Sequence, residues 1–230
     1  MTLLRNIVFS VLFYLFSAVF SIGLWIVSLV KPSTALPGAS AWSRGVRWLT
    51  RYILGIRIEI DGELPHGRCI VAPKHESFFE ALMLPALFPN AAVVMKRELS
   101  RIPVWGDLVQ RHASIFVDRT AGGQAMRSML TAAKAARAAE REILIFPEGS
   151  RAPPGEAPPI RSGVAGLYRM LDLPVVPIAL TSAHVWPKSG LKRPGVVRWR
   201  VMPEIPAGLQ RREFEMRLHD AINAEQPKLA

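Results

Sequence analysis

Lys74-His75-Glu76-Ser77-Phe78-Phe79-Glu80 is the stretch from which the fold is read. Ahead of it, Cys69-Ile70-Val71-Ala72-Pro73 reads as a buried strand that closes on a proline. Behind it, Ala81-Leu82-Met83-Leu84 continues the first turns of a helix that opens near Glu80. His75 thus falls in a strand-to-helix turn, at the carboxyl end of a strand, where open α/β sheets bind their ligands. Were both residues helical, the spacing to Glu80 would be about 500° of rotation and they would share no face. With His75 in the turn and Glu80 in the first helical turn, the carboxylate can reach back and hold the imidazole. A plainer reading stands beside this one. Ser77-x-x-Glu80 also matches a capping box, in which Glu80 only bonds the Ser77 amide, and a lone histidine beside apolar residues is more often structural than basic in function.

Working outward toward the N-terminus, residues 7–30 contain no charged side chain and are rich in Val, Leu, Ile and Phe. The run exceeds the about 20 residues needed to cross a bilayer core. A signal peptide is the main rival, since Ala39-Ser40-Ala41 resembles a cleavage site, but the run is longer than a signal core of about 7–15 residues. A third reading is a bent helical pair broken near Ser21-Ile22-Gly23 and lying partly in one leaflet. Lys31, Arg44, Arg47 and Arg51 follow the run, against Arg5 alone before it, so the positive-inside bias keeps the remainder cytoplasmic. Residues 32–39 read as a Pro/Ser/Gly linker. Trp42, Val46, Leu49 and Ile53 then recur at helical spacing among arginines, which suits either the bilayer interface or a packing helix with a solvated basic face. The expected division is a membrane anchor with linker over residues 1–40 and a single catalytic domain over 41–230.

Toward the C-terminus the pattern alternates. Residues 56–60 have period two and end at Asp61-Gly62, and short apolar runs follow at 69–73, 91–95, 114–117, 143–146 and 175–180. Helical segments lie between them at 77–87, 124–140 and 163–171, an edge strand is expected at 196–201, and a closing amphipathic helix at 211–224. Strands alternating with helices specify an α/β domain with a largely parallel sheet flanked by helices, preceded by a hydrophobic membrane-anchoring helix or helical hairpin.

Three more stretches stand at carboxyl ends of expected strands. Lys96, opening a run that ends at Gly106, is placed to meet an anion; its alternative is a charged loop. Phe146-Pro147-Glu148-Gly149-Ser150-Arg151 must turn sharply, exposing the Glu148 carboxylate, the Gly149 and Ser150 amides and the Arg151 guanidinium together. Amides beside an arginine make a phosphate seat; the alternative is a solvated turn in which Arg151 pairs with Glu148. Val175 to Leu180 carries no ionisable group and reads as buried sheet.

A net charge of +11 on 230 residues points to a polyanionic partner, a membrane surface or a phosphorylated substrate. Mean hydropathy of +0.21 is high for a freely soluble chain. The single Cys69 rules out an internal disulfide framework, and no Cys/His cluster or zinc-protease spacing predicts a metal. There is no Gly-x-Ser-x-Gly elbow, P-loop or Gly-x-Gly-x-x-Gly turn, and no aromatic-interleaved basic pattern suited to nucleic acid.

In this order the four stretches resemble the blocks of the glycerolipid acyltransferases, and among them the bacterial 1-acyl-sn-glycerol-3-phosphate acyltransferases. His75-x4-Glu80 is similar to the His-x4-Asp block, 96–106 to the second, 146–151 to the third and Val176-Pro177-Ile178 to the fourth. The resemblance implies a general base at His75, an orienting acid at Glu80, a phosphate seat at Lys96 and Arg151, and an acceptor site shaped by Glu148 and Gly149. It implies no bound cofactor or metal, acyl-CoA or acyl carrier protein as donor, lysophosphatidate as acceptor, a phospholipid bilayer as partner, and attachment to the inner membrane with the domain facing the cytoplasm. Glu80 departs from the usual aspartate and Ser150 from the usual threonine. Two rivals remain: another lysolipid acceptor, such as a lyso-ornithine lipid, or a catalytically silent lipid-binding protein.

Overall fold

The structure, a computed structural model, describes residues 1–118 and 122–224, so the last six residues of the domain expected over 41–230 lie outside the described residues. Helix α1 (Thr2–Val30) runs unbroken through Gly23, and a 3-10 turn (Pro32–Thr34) leads into α2 (Ala35–Leu49) and a π-helical turn (Thr50–Leu54). Strand β1 (Ile56–Asp61) and β2 (Ile70–Pro73) precede α3 (Phe78–Leu87). After β3 (Ala92–Lys96) come a 3-10 turn (Arg97–Arg101), α4 (Trp105–Arg111), β4 (Ile115–Val117), α5 (Gly122–Ala138) and β5 (Ile143–Leu144). The chain closes with α6 (Ser162–Leu171), β6 (Val175–Leu180), β7 (Gly195–Val201) and α7 (Arg211–Ile222).

The seven strands form one sheet in the order β1-β7-β6-β2-β5-β3-β4, parallel except where β6 meets β7. All four residues of β2 are buried, as expected of a central parallel strand covered on both faces. Val71, Leu144, Ile178 and Trp199 pack with Phe79, Met83 and Trp186 on one face. Ile70, Ala72 and Ile143 turn to the other, against Met129, Leu167 and Phe214. The result is three layers, with the carboxyl ends of β2, β5, β3 and β6 gathered on one edge.

Two expectations need correction. The strand near residues 196–201 is not at an edge: β7 lies between β6 and β1, because β1 adds in parallel along it from Ile56↔Gly195 onward. Nor are residues 32–39 an extended linker. Pro32 sits at the start of the 3-10 turn and Pro37 in the first turn of α2, where backbone N–H groups have no intrahelical acceptor and proline costs little. The glycines there are contact points. A Cβ on Gly38 would lie 2.3 Å from the Leu24 side chain and one on Gly45 2.4 Å from Phe16, so α1 and α2 close together as a helical hairpin. Helix α2 runs across position 40.

Helix α1, 29 residues long with an 18-residue window of mean hydropathy 2.3, is long and apolar enough to cross a membrane. It nevertheless meets the domain along its whole length. Asn6 exchanges two 2.9 Å hydrogen bonds with the Lys192 backbone, Phe9 packs edge-on against Trp186, Ser17 accepts from Trp42, Trp25 donates to Asp107, and Arg111 donates to the Ser28 carbonyl. The opposite face exposes Ile7, Val11, Leu15, Val19, Ile22 and Ile26.

Candidate active site

The Lys74 amide donates to the Ile178 carbonyl and extends the β2–β6 pairing by one residue past Pro73. The chain then leaves the sheet, and Ser77 caps α3 by accepting from the Phe79 amide. The Glu80 carboxylate folds back under the turn, accepting from the amides of Glu76 (3.2 Å) and Ser77 (3.1 Å) and from the Ser77 hydroxyl (3.1 Å). The capping box is therefore real, and it coexists with the dyad reading. The same carboxylate lies 3.7 Å from Nδ1 of His75, slightly beyond a hydrogen bond, and is fully buried, while the histidine side chain keeps 15% exposure. Nδ1 itself is buried and makes no hydrogen bond among the described residues. The ring lies flat on Phe146, centroids 3.8 Å apart at 16°. A ring held by stacking, with one nitrogen facing a carboxylate, presents its other nitrogen in a fixed orientation.

Lys74 and Glu148 fix the backbone of this turn. The Lys74 ammonium is fully buried and uses its three protons on Glu148 (3.0 Å), the Glu156 carbonyl (3.0 Å) and the Asn223 side chain (2.6 Å). The second Glu148 oxygen accepts from the His75 amide at 2.9 Å. The expectation that the turn exposes Glu148 is thus overturned, as is its pairing with Arg151. Gly149, at φ +69°, donates back to the Phe146 carbonyl at 3.0 Å and curls the chain so that Glu148 points inward at Lys74. Arg151 stays exposed. The next residue, Ala152, donates its amide to the His75 carbonyl at 2.7 Å, which ties the arginine's loop to the histidine's turn.

Lys96 ends β3 and is exposed. Since β5 separates β3 from β2, its backbone stands about 10 Å across the sheet edge from that of β2. The run that follows is shaped by a γ-turn. Val104 has φ +64° and ψ −57°, with the Trp105 amide donating to the Pro103 carbonyl at 2.7 Å. A Cβ on Gly106 would lie 2.1 Å from the Ser100 carbonyl oxygen, so that position has no room for a side chain.

Sequence reasoning did not single out Phe146 as the stacking partner, Asn223 as a lysine acceptor, or Ser182. The Ser182 hydroxyl donates to Glu80 and lies 3.1 Å from the Ser77 hydroxyl, while its amide donates to Glu76 at 2.8 Å. The available signal was its place just past β6, beside the histidine's strand. Cys69 is no rival nucleophile: burial, helped by Glu142 and Glu204, pushes its thiol up to about 12. Among the described residues no three His, Cys, Asp or Glu side chains converge as a metal-ligand set.

A family model described as Acyltransferase matches residues 55–181. The chain is 33% identical over 169 residues to a 1-acyl-sn-glycerol-3-phosphate acyltransferase of Pseudomonas aeruginosa, covering 72% of this chain and 66% of that protein. It is 32% identical over 161 residues to a protein of the same description from Limnanthes alba, covering 68% of this chain and 57% of the other. The chain thus spans between about half and two thirds of the length of these relatives. Among solved structures, the 1-acyl-sn-glycerophosphate (LPA) acyltransferase of Thermotoga maritima aligns over 100% of this chain and 99% of its own, with a TM-score of 0.78 at 16% identity, which is a likeness of fold.

Proposed function

The chain belongs to the acyltransferase family, and on that premise we propose that it is a membrane-attached enzyme. It moves an acyl chain from a thioester, acyl-CoA or acyl carrier protein, to the sn-2 hydroxyl of lysophosphatidate, giving phosphatidate. The observation that carries this reading is the His75 ring, stacked on Phe146 with Nδ1 facing the Glu80 carboxylate at the carboxyl edge of the sheet.

With Nδ1–H directed at Glu80, Nε2 takes the proton of the acceptor hydroxyl as that oxygen attacks the thioester carbonyl. Collapse of the tetrahedral species expels the thiolate, which takes up that proton from the imidazolium and leaves as the free thiol. A base so positioned contributes about 10²–10⁴ in rate. Glu80 fixes the tautomer and stabilises the imidazolium, as the acid of a Ser-His-Asp triad does. The substrate alcohol is itself the nucleophile, so no acyl-enzyme is needed. The apo distance of 3.7 Å is compatible with this role, because such pairs tighten when substrate binds. Arg151, exposed beside the His75 turn, and Lys96, two strands away, receive the phosphate. Gly149 lends a backbone that can approach the acceptor, and Glu148 acts from beneath by holding the His75 amide.

The hairpin of α1 and α2 supports membrane attachment. A helix bonded to the domain from Asn6 to Ser28 has only its outer apolar face free, which favours lying in one leaflet over crossing both. Lys31, Arg44, Arg47 and Arg51 favour the cytoplasmic side. The test is transfer from labelled acyl-CoA to lysophosphatidate in detergent micelles by wild type and His75→Ala. The reading expects formation of labelled phosphatidate by the first and near-background transfer by the second; equal transfer by both removes His75 from the chemistry.

A further inference from the structure

Glu80 has one more methylene than the aspartate of the pattern it resembles, hence one more torsion to fix before its carboxylate can serve His75. Three donors reach it from its own turn and cap, the amides of Glu76 and Ser77 and the Ser77 hydroxyl, and Nδ1 of His75 stands 3.7 Å away. Among the described residues, one hydrogen bond to it comes from elsewhere in the fold. Ser182, just past the carboxyl end of β6 and fully buried, donates its hydroxyl to Oε1 of Glu80.

The proton assignment follows from counting. A serine hydroxyl has one proton. The Ser77 oxygen already accepts from the Phe79 amide and lies 3.1 Å from Oε2 of Glu80, so its proton has a carboxylate target. The Ser182 proton goes to Oε1. The loop that carries Ser182 is itself pinned to the turn after His75, since the amides of Ser182 and Ala183 both donate to Glu76, at 2.8 and 3.2 Å. Oε2 is thereby held by the Ser77 hydroxyl and amide, and Oε1 by the Ser182 hydroxyl together with the amides of Glu76 and Ser77 at 3.2 Å; Ser182 supplies the one hydroxyl proton on Oε1, and turning the carboxylate about its last torsion breaks that bond.

We propose that Ser182 is a positioning residue for the His75–Glu80 pair: its hydroxyl fixes the rotation of the Glu80 carboxylate so that Oε2 faces Nδ1 and holds His75 as the Nδ1–H tautomer. The inference rests on the functional reading above. It assigns work to a residue that acts through the Glu80 carboxylate, and it accounts for how a glutamate serves at this position.

The test compares full-length wild type, Ser182→Ala, Glu80→Ala and the double variant in detergent micelles, with kcat and KM for lysophosphatidate and histidine ¹⁵N spectra, the His75 signals being identified from His75→Ala. Loss of Ser182 is expected to lower kcat about 10-fold or more while KM stays within about two-fold, the size of effect that follows a sub-ångström misplacement of a supporting group. In the Glu80→Ala background it should cost nothing further, because the carboxylate that its hydroxyl orients has gone, and the Ser182 amide bond to Glu76 is present in both variants. The His75 nitrogen shifts should move from one tautomer toward an average. A kcat within about two-fold of wild type, an equal loss in both backgrounds, or unchanged nitrogen shifts overturns the proposal. Ser182→Cys, close in volume and a much weaker donor, carries the same expectations if the alanine variant does not fold. If wild type transfers to no lysolipid, the functional reading falls, and the nitrogen shifts alone still decide the positioning role.

Discussion

Lowering the pH from about 7.5 to about 5 should remove about 2 kcal/mol of stability through His112 alone, and His112→Asn should abolish that share. His112 is 7% exposed. It sits at the end of α4 with Nδ1 3.1 Å from the Ser114 hydroxyl, and its carbonyl accepts from the Arg141 guanidinium at 3.0 Å. Burial first, and the Arg141 charge second, push it down from 6.5 to about 4. Between those values the unfolded chain binds a proton that the folded chain refuses. Stability is therefore complete above the unfolded value and is lost as pH falls toward the folded one. At about pH 5 the unfolded imidazole is almost wholly charged and the folded one almost wholly neutral, which gives the figure of about 2 kcal/mol. Asparagine keeps an acceptor near the Nδ1 position and cannot titrate. The assay is urea unfolding followed by tryptophan fluorescence in nonionic detergent, at both pH values, for both proteins. Carboxylates elsewhere contribute equally to the two and cancel. If both lose the same stability between the two pH values, the reasoning about His112 is refuted.

Lys74→Met should cost about 3–5 kcal/mol, because it leaves the buried Glu148 carboxylate without its cation; adding Glu148→Leu should recover part of the loss in the same unfolding measurement, and no recovery would mean that the pair is not the cause. Arg151→Lys keeps the charge but loses the planar fork, so KM for lysophosphatidate should rise about 10-fold while KM for the acyl donor does not; a parallel rise in both would show that the arginine supports the loop rather than the phosphate.

The parts of the fold legible in the sequence are those set by local pattern. The buried run before Pro73 and the capping signature at Ser77 and Glu80 are enough to put His75 at the carboxyl edge of a parallel sheet, where it is found. Long-range choices were not legible. Glu148 reads as the exposed tip of a turn because nothing near it in sequence shows that a buried ammonium awaits it. Nothing near Lys74 in sequence marks it as buried, because its acceptors at Glu156 and Asn223 lie far downstream. Residues 32–39 look like a linker by composition, yet their prolines fall where a helix tolerates them and Gly38 makes room for α1. Ser182 is one small polar residue after an apolar strand, and only the β2–β6 register brings it under Glu80.

The three-way contact of the Lys74 ammonium also sets an order of events during synthesis. Its side-chain acceptor Asn223 is 149 residues further along the chain. At about 5–20 residues per second, roughly 7–30 s pass between the ribosome adding the lysine and adding its acceptor. Through that interval the apolar α1 has already been made and can settle at a membrane, while the ammonium still lacks a partner it will need when water is withdrawn. The turn that carries His75 thus gains the last of its lysine acceptors only after every described strand, β1 to β7, has been made.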